Sequence, residues 1–474
     1  MLESLHTNFL NGSYLGDRTV VIKVSENNSL FRDPSQTNIP VRIDSVGRAV
    51  IGYGYDLLGN SLGTLLADLE TVNSSLGTNV TLSDADRTLL EEYQQGQRTA
   101  NEVRENLQLR LPTEKFASEL LQARAQEFET ELTTLLTNRL GSNMANSRER
   151  AALVSMAFNG SIGLISGKLM DQIAAGNRAE AWYEIRHNTN AGKSRVSSGG
   201  GIAKRRYMES HLFGLYEDGT TASTIDEEEA KAVYKMYTKH REKILREENL
   251  FSSRISDNPG GNANTDYQLV GTGNEVQTLQ ESFMFAFGKV KELFIDPLSA
   301  GITIDVLDVQ IGGDEADLLS APKRDGFQLG TGDEKNDLML GEGGNDVLEG
   351  RGGDDILYGG DGVDTLDPGT GKAFLFGGKG ADVYKITALT DTITIKDDDG
   401  KGIIVFDPDG EVTGLVGGTR EAGSGGAYKI PDPEHPYQVS YSWSGPGADL
   451  TIKIDGQPGR IILKQFGREL RRTA

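Results

Sequence analysis

The sequence predicts a mostly helical α+β domain followed by an all-β C-terminal part. Residues 1–217 place apolar side chains at helical spacing, whereas residues 301–474 alternate short β-branched runs with glycine turns. The charge is also divided unevenly, because residues 1–217 have a net charge of −3 and residues 218–474 have −19. The two parts are therefore expected to be stabilised by different interactions.

Composition excludes several classes of function. The 474-residue chain has no cysteine, which removes disulfides, cysteine-ligated zinc and thiol catalysis, so a metal site must use oxygen or histidine ligands. A net charge of −22 does not suit nucleic-acid binding, because phosphates require a basic surface. No apolar run is as long as a membrane span, and the N-terminal residues lack the pattern of a cleaved signal peptide.

Three segments indicate how the chain is organised. Residues 149–159, ERAALVSMAFN, place apolar side chains along one face of a predicted helix. A charged helix is predicted from Ser223, where Thr224 and Glu227 match a capping box, and residues 256–266 have the composition of a linker. The predicted parts are a domain at 1–217, a helical connector and linker at 218–300, and an all-β domain at 301–474.

A nine-residue repeat runs through part of the all-β domain. Aspartate recurs at this spacing with one replacement by alanine, at Asp337, Asp346, Asp355, Asp364, Ala373 and Asp382. An apolar side chain follows two residues after each position, at Met339, Leu348, Leu357, Leu366, Leu375 and Tyr384. Because the apolar positions keep their phase where the aspartate is missing, the repeat is interpreted as a structural unit and not as a flexible linker.

The repeat resembles the RTX nonapeptide, G-G-x-G-x-D-x-U-x, a calcium-binding parallel β-helix repeat. The resemblance implies a parallel β-roll in residues 301–474, with two repeats in each coil. Glycines permit its tight turns, while carboxylate and carbonyl oxygens are the ligands that Ca²⁺ prefers. Stacked sites are expected between Asp337 and Asp355, Asp346 and Asp364, and Asp364 and Asp382. The candidate metal-ligating residues are Asp337, Gly341, Gly343, Asp346, Gly350, Gly352, Asp355, Gly359, Asp361, Asp364 and Asp382.

Charge makes this repeat dependent on cations. Residues 333–367 contain eleven acidic and two basic residues, a net charge of −9, so self-repulsion is expected to keep them expanded without cations. Calcium would supply the missing attraction, so that folding and metal binding form one equilibrium. Residues 312–319, GGDEADLL, resemble a degenerate repeat but stand out of phase, and the predicted repeat does not include them.

Residues 1–217 resemble the phage-type lysozymes, glycoside hydrolase family 24, and their bacteriocin relatives such as pesticin. That family has a glutamate at the end of its first helix, D-x2-G-x2-T-x-G-x-G-H on a hairpin, a buried A-A-L helix, and a closing G-L-x-x-R-R-x-x-E-x-x-L segment. The matching residues are Glu26, Asp44, Gly47, Gly52, Gly54, Ala151 to Asn159, Gly201, Arg205, Arg206, Glu209 and Leu212. Their shared order is more specific than any single match.

The resemblance implies cleavage of a glycosidic bond by two carboxyl groups. One is held protonated by an apolar, partly buried setting and donates to the leaving oxygen, while the other stays ionised. Glu26 is the candidate acid. The second carboxylate is Asp44, which keeps the family register, or Asp56, which follows GYGY as in pesticin-like members, with Asp33 ranked behind both.

Two positions depart from the family pattern. The threonine that helps to hold the water is Val50 here, and the histidine after G-x-G is Tyr55. One interpretation is a muramidase that cleaves the β-1,4 bond between N-acetylmuramic acid and N-acetylglucosamine. The alternative is an inactive lysozyme fold that binds glycan in a calcium-dependent surface protein.

The RTX resemblance also predicts location and partners. RTX proteins generally leave Gram-negative cells through a type I channel that reads an uncleaved C-terminal signal, so this chain is predicted to be secreted. The expected partners are the type I secretion machinery and peptidoglycan, with Ca²⁺ as the cofactor and neither nucleic acid nor a membrane span involved. The chain is expected to act as a monomer.

Removal of residues 415–474 is expected to abolish export, because the predicted export signal lies in the C-terminal region. The measurement is the amount of protein in the culture medium of a Gram-negative host that carries a type I exporter, with the full chain as the control. Equal export of the truncated chain would contradict the predicted route.

Overall fold

The computed structural model describes most of the chain. The described ranges are 14–27, 30–31, 33–44, 47–165, 167–189, 201–216, 225–256, 279–298, 302–304, 309–312, 315–320, 335–408, 413–414, 419–420, 428–429, 439–443 and 448–464. The predicted capping box at Thr224 and most of the predicted linker lie outside them. Within these ranges, no helix has both the length and the apolar character needed to span a membrane.

The chain divides into two compact units, residues 1–286 and residues 287–474. The domain boundaries at residues 217 and 300 stay predictions. The first unit is mostly helical, and the second is built almost entirely of β-strands. The helices are α1 (Tyr14–Glu26), α2 (Leu62–Leu76), α3 (Asp84–Gln94), α4 (Ala100–Asn106), α5 (Glu114–Leu140), α6 (Arg148–Gly160), α7 (Lys168–Ala174), α8 (Arg178–Tyr183), α9 (Gly201–Phe213), α10 (Glu227–Ser256) and α11 (Leu279–Phe294).

Helix α6 lies at the centre of one half of the first unit. It begins after Ser147, whose hydroxyl accepts the backbone N–H of Arg150 at 3.2 Å. Side chains from Ala151 to Ala157 are fully buried, and α6 packs against α1, α5 and α9. This helix is the one that the apolar pattern of residues 149–159 predicts. Its burial places the ends of α1 and α9 beside each other.

A small antiparallel sheet faces the end of α1. The short strands of the first unit are β1 (Thr37–Ile39), β2 (Arg42–Ile43), β3 (Ala49–Ile51), β4 (Tyr55–Asp56) and β5 (Leu111–Thr113). β2, β3 and β4 pair in that order, and Val50 stands opposite both Arg42 and Asp56. The register therefore places Val50 and Asp56, both singled out by the family comparison, next to each other and Val50 next to Arg42.

Helix α10 packs against α8 in the first unit. The ring of Tyr183 stacks on His240 with centroids 3.7 Å apart, and His240 pairs with Glu180 at 2.9 Å. His187, in a π-helical turn at Glu184–Asn188, pairs with Glu247 at 2.9 Å. The predicted charged helix is thus attached to the helical unit along its described residues.

The second unit contains two parallel sheets that share one thin core. The strands are β6 (Val309–Ile311), β7 (Leu318–Ser320), β8 (Leu338–Gly343), β9 (Val347–Glu349), β10 (Asp355–Asp361), β11 (Thr365–Asp367), β12 (Ala373–Lys379), β13 (Val383–Ile386), β14 (Thr392–Lys396) and β15 (Ile403–Phe406). Even-numbered strands form one sheet and odd-numbered strands the other. Each coil supplies one strand to each sheet, which confirms the predicted parallel β-roll.

The apolar residues of the nine-residue repeat fill the interior of the roll. Leu357 lies in register with Met339 on one side and Leu375 on the other, and all three are fully buried. Leu348, in the opposite sheet, is also fully buried, and it belongs to the same hydrophobic cluster. The phase of these residues in the sequence is therefore the phase of the coils.

The described strands β6 and β7 add a coil to the roll, although the predicted repeat does not include residues 312–319. β6 pairs in parallel with β8, and β7 pairs in parallel with β9. The backbone N–H of Asp317 donates to Asp346, 29 positions later, whereas Asp346 bonds in the same way to Asp364 over 18 positions. The longer connection puts the motif out of phase without breaking the backbone pairing.

An antiparallel segment follows the parallel coils. Its described strands are β16 (Thr413–Gly414), β17 (Thr419–Arg420), β18 (Tyr428–Lys429), β19 (Val439–Trp443), β20 (Leu450–Ile454) and β21 (Arg460–Leu463). β20 and β21 are joined around Asp455 and Gly456, and β21 pairs in parallel with β14. The C-terminal strands therefore continue the larger sheet of the roll.

Leu357→Ala is expected to destabilise the roll by roughly 2–5 kcal/mol, because it leaves a cavity in the thin core between the two sheets. The measurement is the calcium concentration at half-maximal folding by circular dichroism, which should rise. Val363→Ala is the matched control, since Val363 lies in the same coil and is 49% exposed. An equal midpoint for the wild type and Leu357→Ala would contradict the described core.

Candidate active site and candidate metal centre

Glu26 is the last residue of α1, and its carboxyl group lies against the hairpin turn. Gly54 has φ +83°, and a Cβ at this position would lie 2.5 Å from Glu26 Oε2. Asn27 donates its side-chain N–H to the carbonyl of Gly52 at 2.9 Å, which ties the end of α1 to the same turn. Glycine at position 54 is thus required for the hairpin to approach the carboxyl group.

Arg205, from α9, is the side-chain partner of Glu26. Its Nη1 donates to Glu26 Oε1, while its other nitrogens reach Glu209 at 3.1 Å and the carbonyl of Ser155 at 2.8 Å. Burial alone would lower the pKa of Arg205, but the charges of Glu26 and Glu209 outweigh it and raise the pKa. The setting of Glu26 is therefore a buried guanidinium, which differs from the apolar setting expected for the acid.

Arg42 connects Glu26 with the hairpin. Its Nη2 donates to the backbone carbonyl of Glu26, one of the carbonyls that the end of a helix leaves without an intrahelical partner. Burial lowers the pKa of Arg42, and the negative charges of Glu26 and Asp44 oppose this shift. Two of the predicted catalytic carboxylates thus act on one guanidinium.

Asp44 and Asp56 meet at a single arginine side chain. Arg48 Nε donates to Asp44 Oδ2 at 3.0 Å, and Arg48 Nη1 donates to Asp56 Oδ2 at 2.7 Å. Both carboxylates are largely buried, with 17% and 18% of their side-chain surface exposed, whereas Arg48 is 45% exposed. The structure therefore brings the two leading candidates for the second carboxylate together.

Asp33 and the two departing positions have local partners. Asp33 is exposed and accepts the backbone N–H of Ser35 at 3.3 Å within its own turn. Val50 is buried in the middle of the hairpin sheet, where it offers no hydroxyl group. Tyr55 donates its hydroxyl to Asp68 at 2.7 Å, and burial raises the pKa of Tyr55.

Sequence reasoning missed Arg42 and Arg48 as members of the site. Arg42 lies on β2 two positions before Asp44, and Arg48 lies four positions after Asp44, directly before β3. A charged residue at such a position ordinarily faces solvent. The available signal was the close spacing of opposite charges in R-I-D-x-x-x-R, which favours ion pairs across a tight hairpin. Arg205 is one of the residues that match the family pattern, and it is the direct partner of Glu26.

Buried carboxylates form two ladders along the turns of the roll. One oxygen of each accepts the backbone N–H of an aspartate in the preceding coil. Asp337 N donates to Asp355 at 2.9 Å, Asp346 N to Asp364 at 2.8 Å, and Asp364 N to Asp382 at 3.1 Å. These are the three pairs for which stacked sites are expected, so the structure places them in adjacent coils.

The second oxygens of the ladder carboxylates fit a hard cation. Among the described residues, the Oδ2 atoms of Asp346, Asp355, Asp364 and Asp382 are buried and have no hydrogen-bond partner. Such an atom is costly unless a proton or a cation satisfies it. Because no three acidic or histidine side chains converge in the described ranges, backbone carbonyls would have to supply most other ligands of an ion.

Glycines in the turns leave room beside these oxygens. A Cβ at Gly341 would lie 2.5 Å from Asp346 Oδ2, and a Cβ at Gly359 would lie 2.6 Å from the carbonyl of Gly377. A side chain at either position would therefore fill the space between the carboxylate and carbonyl oxygens. This crowding accounts for the glycines of the repeat in physical terms.

The remaining predicted metal-ligating residues have varied settings. Gly350 lies beside the carboxylate of Asp355 in the same way as Gly341 does beside Asp346. Gly343 pairs with Asp361 between strands, and Gly352 forms an isolated bridge to Thr370. The carboxylate of Asp361 is 68% exposed and pairs with Lys379 at 2.9 Å. A role for these residues in metal binding stays a prediction.

The fold and the sites define a two-part protein, with a mostly helical unit and a repeat-built parallel roll. A family model described as phage lysozyme matches residues 96–209, and one described as the RTX calcium-binding nonapeptide repeat, in four copies, matches residues 331–366. The chain therefore carries a phage lysozyme domain followed by RTX calcium-binding repeats. This confirms the two resemblances drawn from the motifs.

Comparisons with whole proteins add little to this result. No curated protein matches the chain. Among solved structures, the solution structure of the AlgE6R3 subunit of the Azotobacter vinelandii mannuronan C5-epimerase is 21% identical. The match covers 32% of this chain and 72% of the chain of that subunit, with a TM-score of 0.14.

The phage lysozyme match includes Arg205 and Glu209 but begins after Glu26, Asp44 and Asp56. The contact between Arg205 and Glu26 therefore links the matched segment to the predicted catalytic residues. The roles of those residues stay predictions, and this contact is the structural reason for assigning them to the same domain.

Without calcium, the roll is expected to be more stable in acid than at alkaline pH. Burial, with the charge of neighbouring carboxylates, raises the pKa of Asp355 to about 9 and that of Asp364 to about 6. An acid whose pKa is raised on folding stabilises the fold below its unfolded pKa near 3.8 and loses this effect as pH rises through the folded value. The loss should therefore extend from about pH 4 to about pH 9.

The measurement is hydrogen exchange of residues 338–386 in a chelator at pH 5 and pH 8, corrected for the intrinsic rates. Protection should be higher at pH 5, and millimolar calcium should restore protection at pH 8. Residues 151–157 serve as an internal reference in the first unit. Equal protection of the roll at the two pH values without calcium would show that proton uptake does not stabilise it.

Proposed function

We propose that the protein is a secreted peptidoglycan hydrolase, a muramidase whose RTX roll folds when it binds calcium outside the cell. The observation that carries this proposal is the place of Glu26 at the end of α1, where Arg205 of the phage lysozyme domain binds it and the hairpin that carries Asp44 and Asp56 lies against it. Two carboxyl groups held on opposite elements are what cleavage of a glycosidic bond requires.

Glu26 would act as the general acid. Its Oε1 accepts Arg205, whereas its Oε2 lies against Gly54 at the hairpin. A proton carried on Oε2 would leave the bond to Arg205 in place and point toward the hairpin side of the site. The proton would pass from Oε2 to the leaving oxygen as the glycosidic bond breaks.

The second carboxylate, Asp44 or Asp56, would stay ionised and activate water or stabilise the oxocarbenium-like transition state. The pairing of both with Arg48 holds the two carboxylates in place at the hairpin. Val50 offers no hydroxyl to orient a water molecule, so that task would fall to the carboxylates and the hairpin backbone.

Calcium would bind along the carboxylate ladders of the roll. Asp346, Asp355, Asp364 and Asp382 would contribute their unpartnered oxygens, together with carbonyls of the glycine turns. A bound cation supplies the positive charge that these buried carboxylates lack, so its binding free energy adds to the stability of the fold. An affinity on the order of 10⁻⁴ to 10⁻³ M, as in extracellular modules, would suit this role.

Secretion through a type I channel and action on other bacteria complete the proposal. The RTX repeats support the route, since a chain that folds only in calcium-rich surroundings stays unfolded inside the producing cell. The same dependence would protect the producer from its own enzyme. Peptidoglycan of a competing cell or wall material outside the producer would be the substrate.

A non-enzymatic, calcium-dependent glycan-binding protein is the second candidate. Val50 and Tyr55 favour it, because both replace family residues beside the reacting centre with side chains that serve the fold. The two functions differ in one observable, since a binder retains peptidoglycan without releasing fragments. Hydrolysis of a chitin-like polymer would use the same two carboxylates and differ only in substrate.

Glu26→Gln is expected to lower the release of reducing-end muropeptides from purified peptidoglycan by about 10²-fold or more, because it removes the general acid. The assay uses the full chain in millimolar calcium, with pelleting of the peptidoglycan as a parallel measure of binding. The mutant should still bind.

Glu149→Gln is a suitable control, since Glu149 pairs with Arg178 away from the hairpin. Loss of release in Glu26→Gln alone supports the muramidase. Binding without release by the wild type would instead identify the glycan-binding protein, and release from chitin but not from peptidoglycan would reassign the substrate.

A further inference from the structure

We infer that Arg48 is a positioning residue that joins Asp44 and Asp56 into one unit, in which Asp56 anchors the guanidinium and Asp44 acts on the substrate. The two aspartates are then not alternatives for one role. This inference rests on the proposed muramidase function and specifies the carboxylate that acts opposite Glu26.

Arg48 holds both carboxylates with one planar group. Its Nε and Nη1 donate to Asp44 Oδ2 and Asp56 Oδ2, and its backbone N–H donates to Asp44 Oδ1 at 2.8 Å. The fixed fork of a guanidinium sets the angle between two such bonds, which an ammonium group does not. The position of one carboxylate therefore determines the position of the other.

Asp56 is fixed by its own turn. Its Oδ1 accepts the backbone N–H groups of Leu58 at 2.9 Å and Gly59 at 3.0 Å. A Cβ at Gly59 would lie 2.8 Å from Asp56 Oδ2, so glycine leaves room for this carboxylate. With the bond from Arg48, Asp56 uses three of the roughly four acceptor positions of a carboxylate. Such a group is suited to holding Arg48 in place.

Asp44 is the member of the unit that is coupled to Glu26. Asp44 directly follows β2, and Arg42 on that strand donates its Nη2 to the backbone carbonyl of Glu26. The guanidinium of Arg42 thus ties the strand before Asp44 to the end of α1. This link favours Asp44 as the carboxylate that acts together with Glu26 across the scissile bond.

The expected effects separate positioning from stability. Arg48 is nearly half exposed, and ion pairs of exposed arginines contribute little to stability, about 0–1 kcal/mol. Displacement of a catalytic group by about 1 Å can cost roughly 10²-fold in rate. Loss of Arg48 should therefore reduce kcat while it leaves KM and the thermal midpoint nearly unchanged.

The test is a double-mutant cycle on muropeptide release by the full chain in millimolar calcium. Arg48→Met and Asp56→Asn are each expected to lower kcat by about 10- to 100-fold with KM changed less than about twofold. The double mutant Arg48→Met/Asp56→Asn should be no slower than the slower single mutant, because both changes break one unit. The kcat of Asp44→Asn should be as low as that of Glu26→Gln.

Two further variants complete the experiment. Arg48→Lys keeps the charge without the fork, so its kcat should remain close to that of Arg48→Met. Arg98→Met is the matched control, because Arg98 also joins two carboxylates, those of Glu92 and Glu102, and is 44% exposed. Its kcat should equal that of the wild type.

Independent, multiplying effects of Arg48→Met and Asp56→Asn on kcat would overturn the inference. The inference would also be overturned if Asp56→Asn were as slow as Glu26→Gln while Asp44→Asn remained active, since Asp56 would then be the acting carboxylate. If the wild type releases nothing, the proposed function fails, and the catalytic roles inferred for Asp44 and Arg48 fail with it.

Discussion

Compensation of carboxylate charge is the constraint on which both units depend. In the first unit, the arginines Arg42, Arg48 and Arg205 stand between acidic groups that would otherwise repel one another. In the roll, the ladder carboxylates are buried beside carbonyl oxygens, and this burial, together with the charge of neighbouring carboxylates, raises the pKa values of Asp355 and Asp364. One unit thus carries its counter-charges in its own sequence, whereas the other must obtain protons or cations from its surroundings.

The roll was largely predictable because its sequence repeats with the period of its structure. The phase of Leu348, Leu357 and Leu366 shows which side chains face inward, and the aspartate spacing shows which turns are adjacent. The coil at residues 309–320 could not be recognised in this way. Its place depends on backbone pairing with β8 and β9, which any side chain of suitable size permits.

The candidate active site was predictable only in part. Motif order indicated Glu26, Asp44 and Asp56, and glycine at position 54 pointed to a close approach of the hairpin. The setting of Glu26 was not apparent, because Arg205 lies far away in the sequence and reaches the carboxyl group only through the packing of α6. Ion pairs between distant residues leave no periodic signal, whereas repeats and turns do.

The coil at residues 309–320 also bears on how such rolls change during evolution. It keeps its place in both sheets although its connection to the next coil is longer by more than half a coil. A coil can therefore carry a longer connection at its edge and a motif that is out of phase while its strands stay paired with those of the next coil. The number of coils in a roll of this kind is then greater than the number of motifs that its gene still displays.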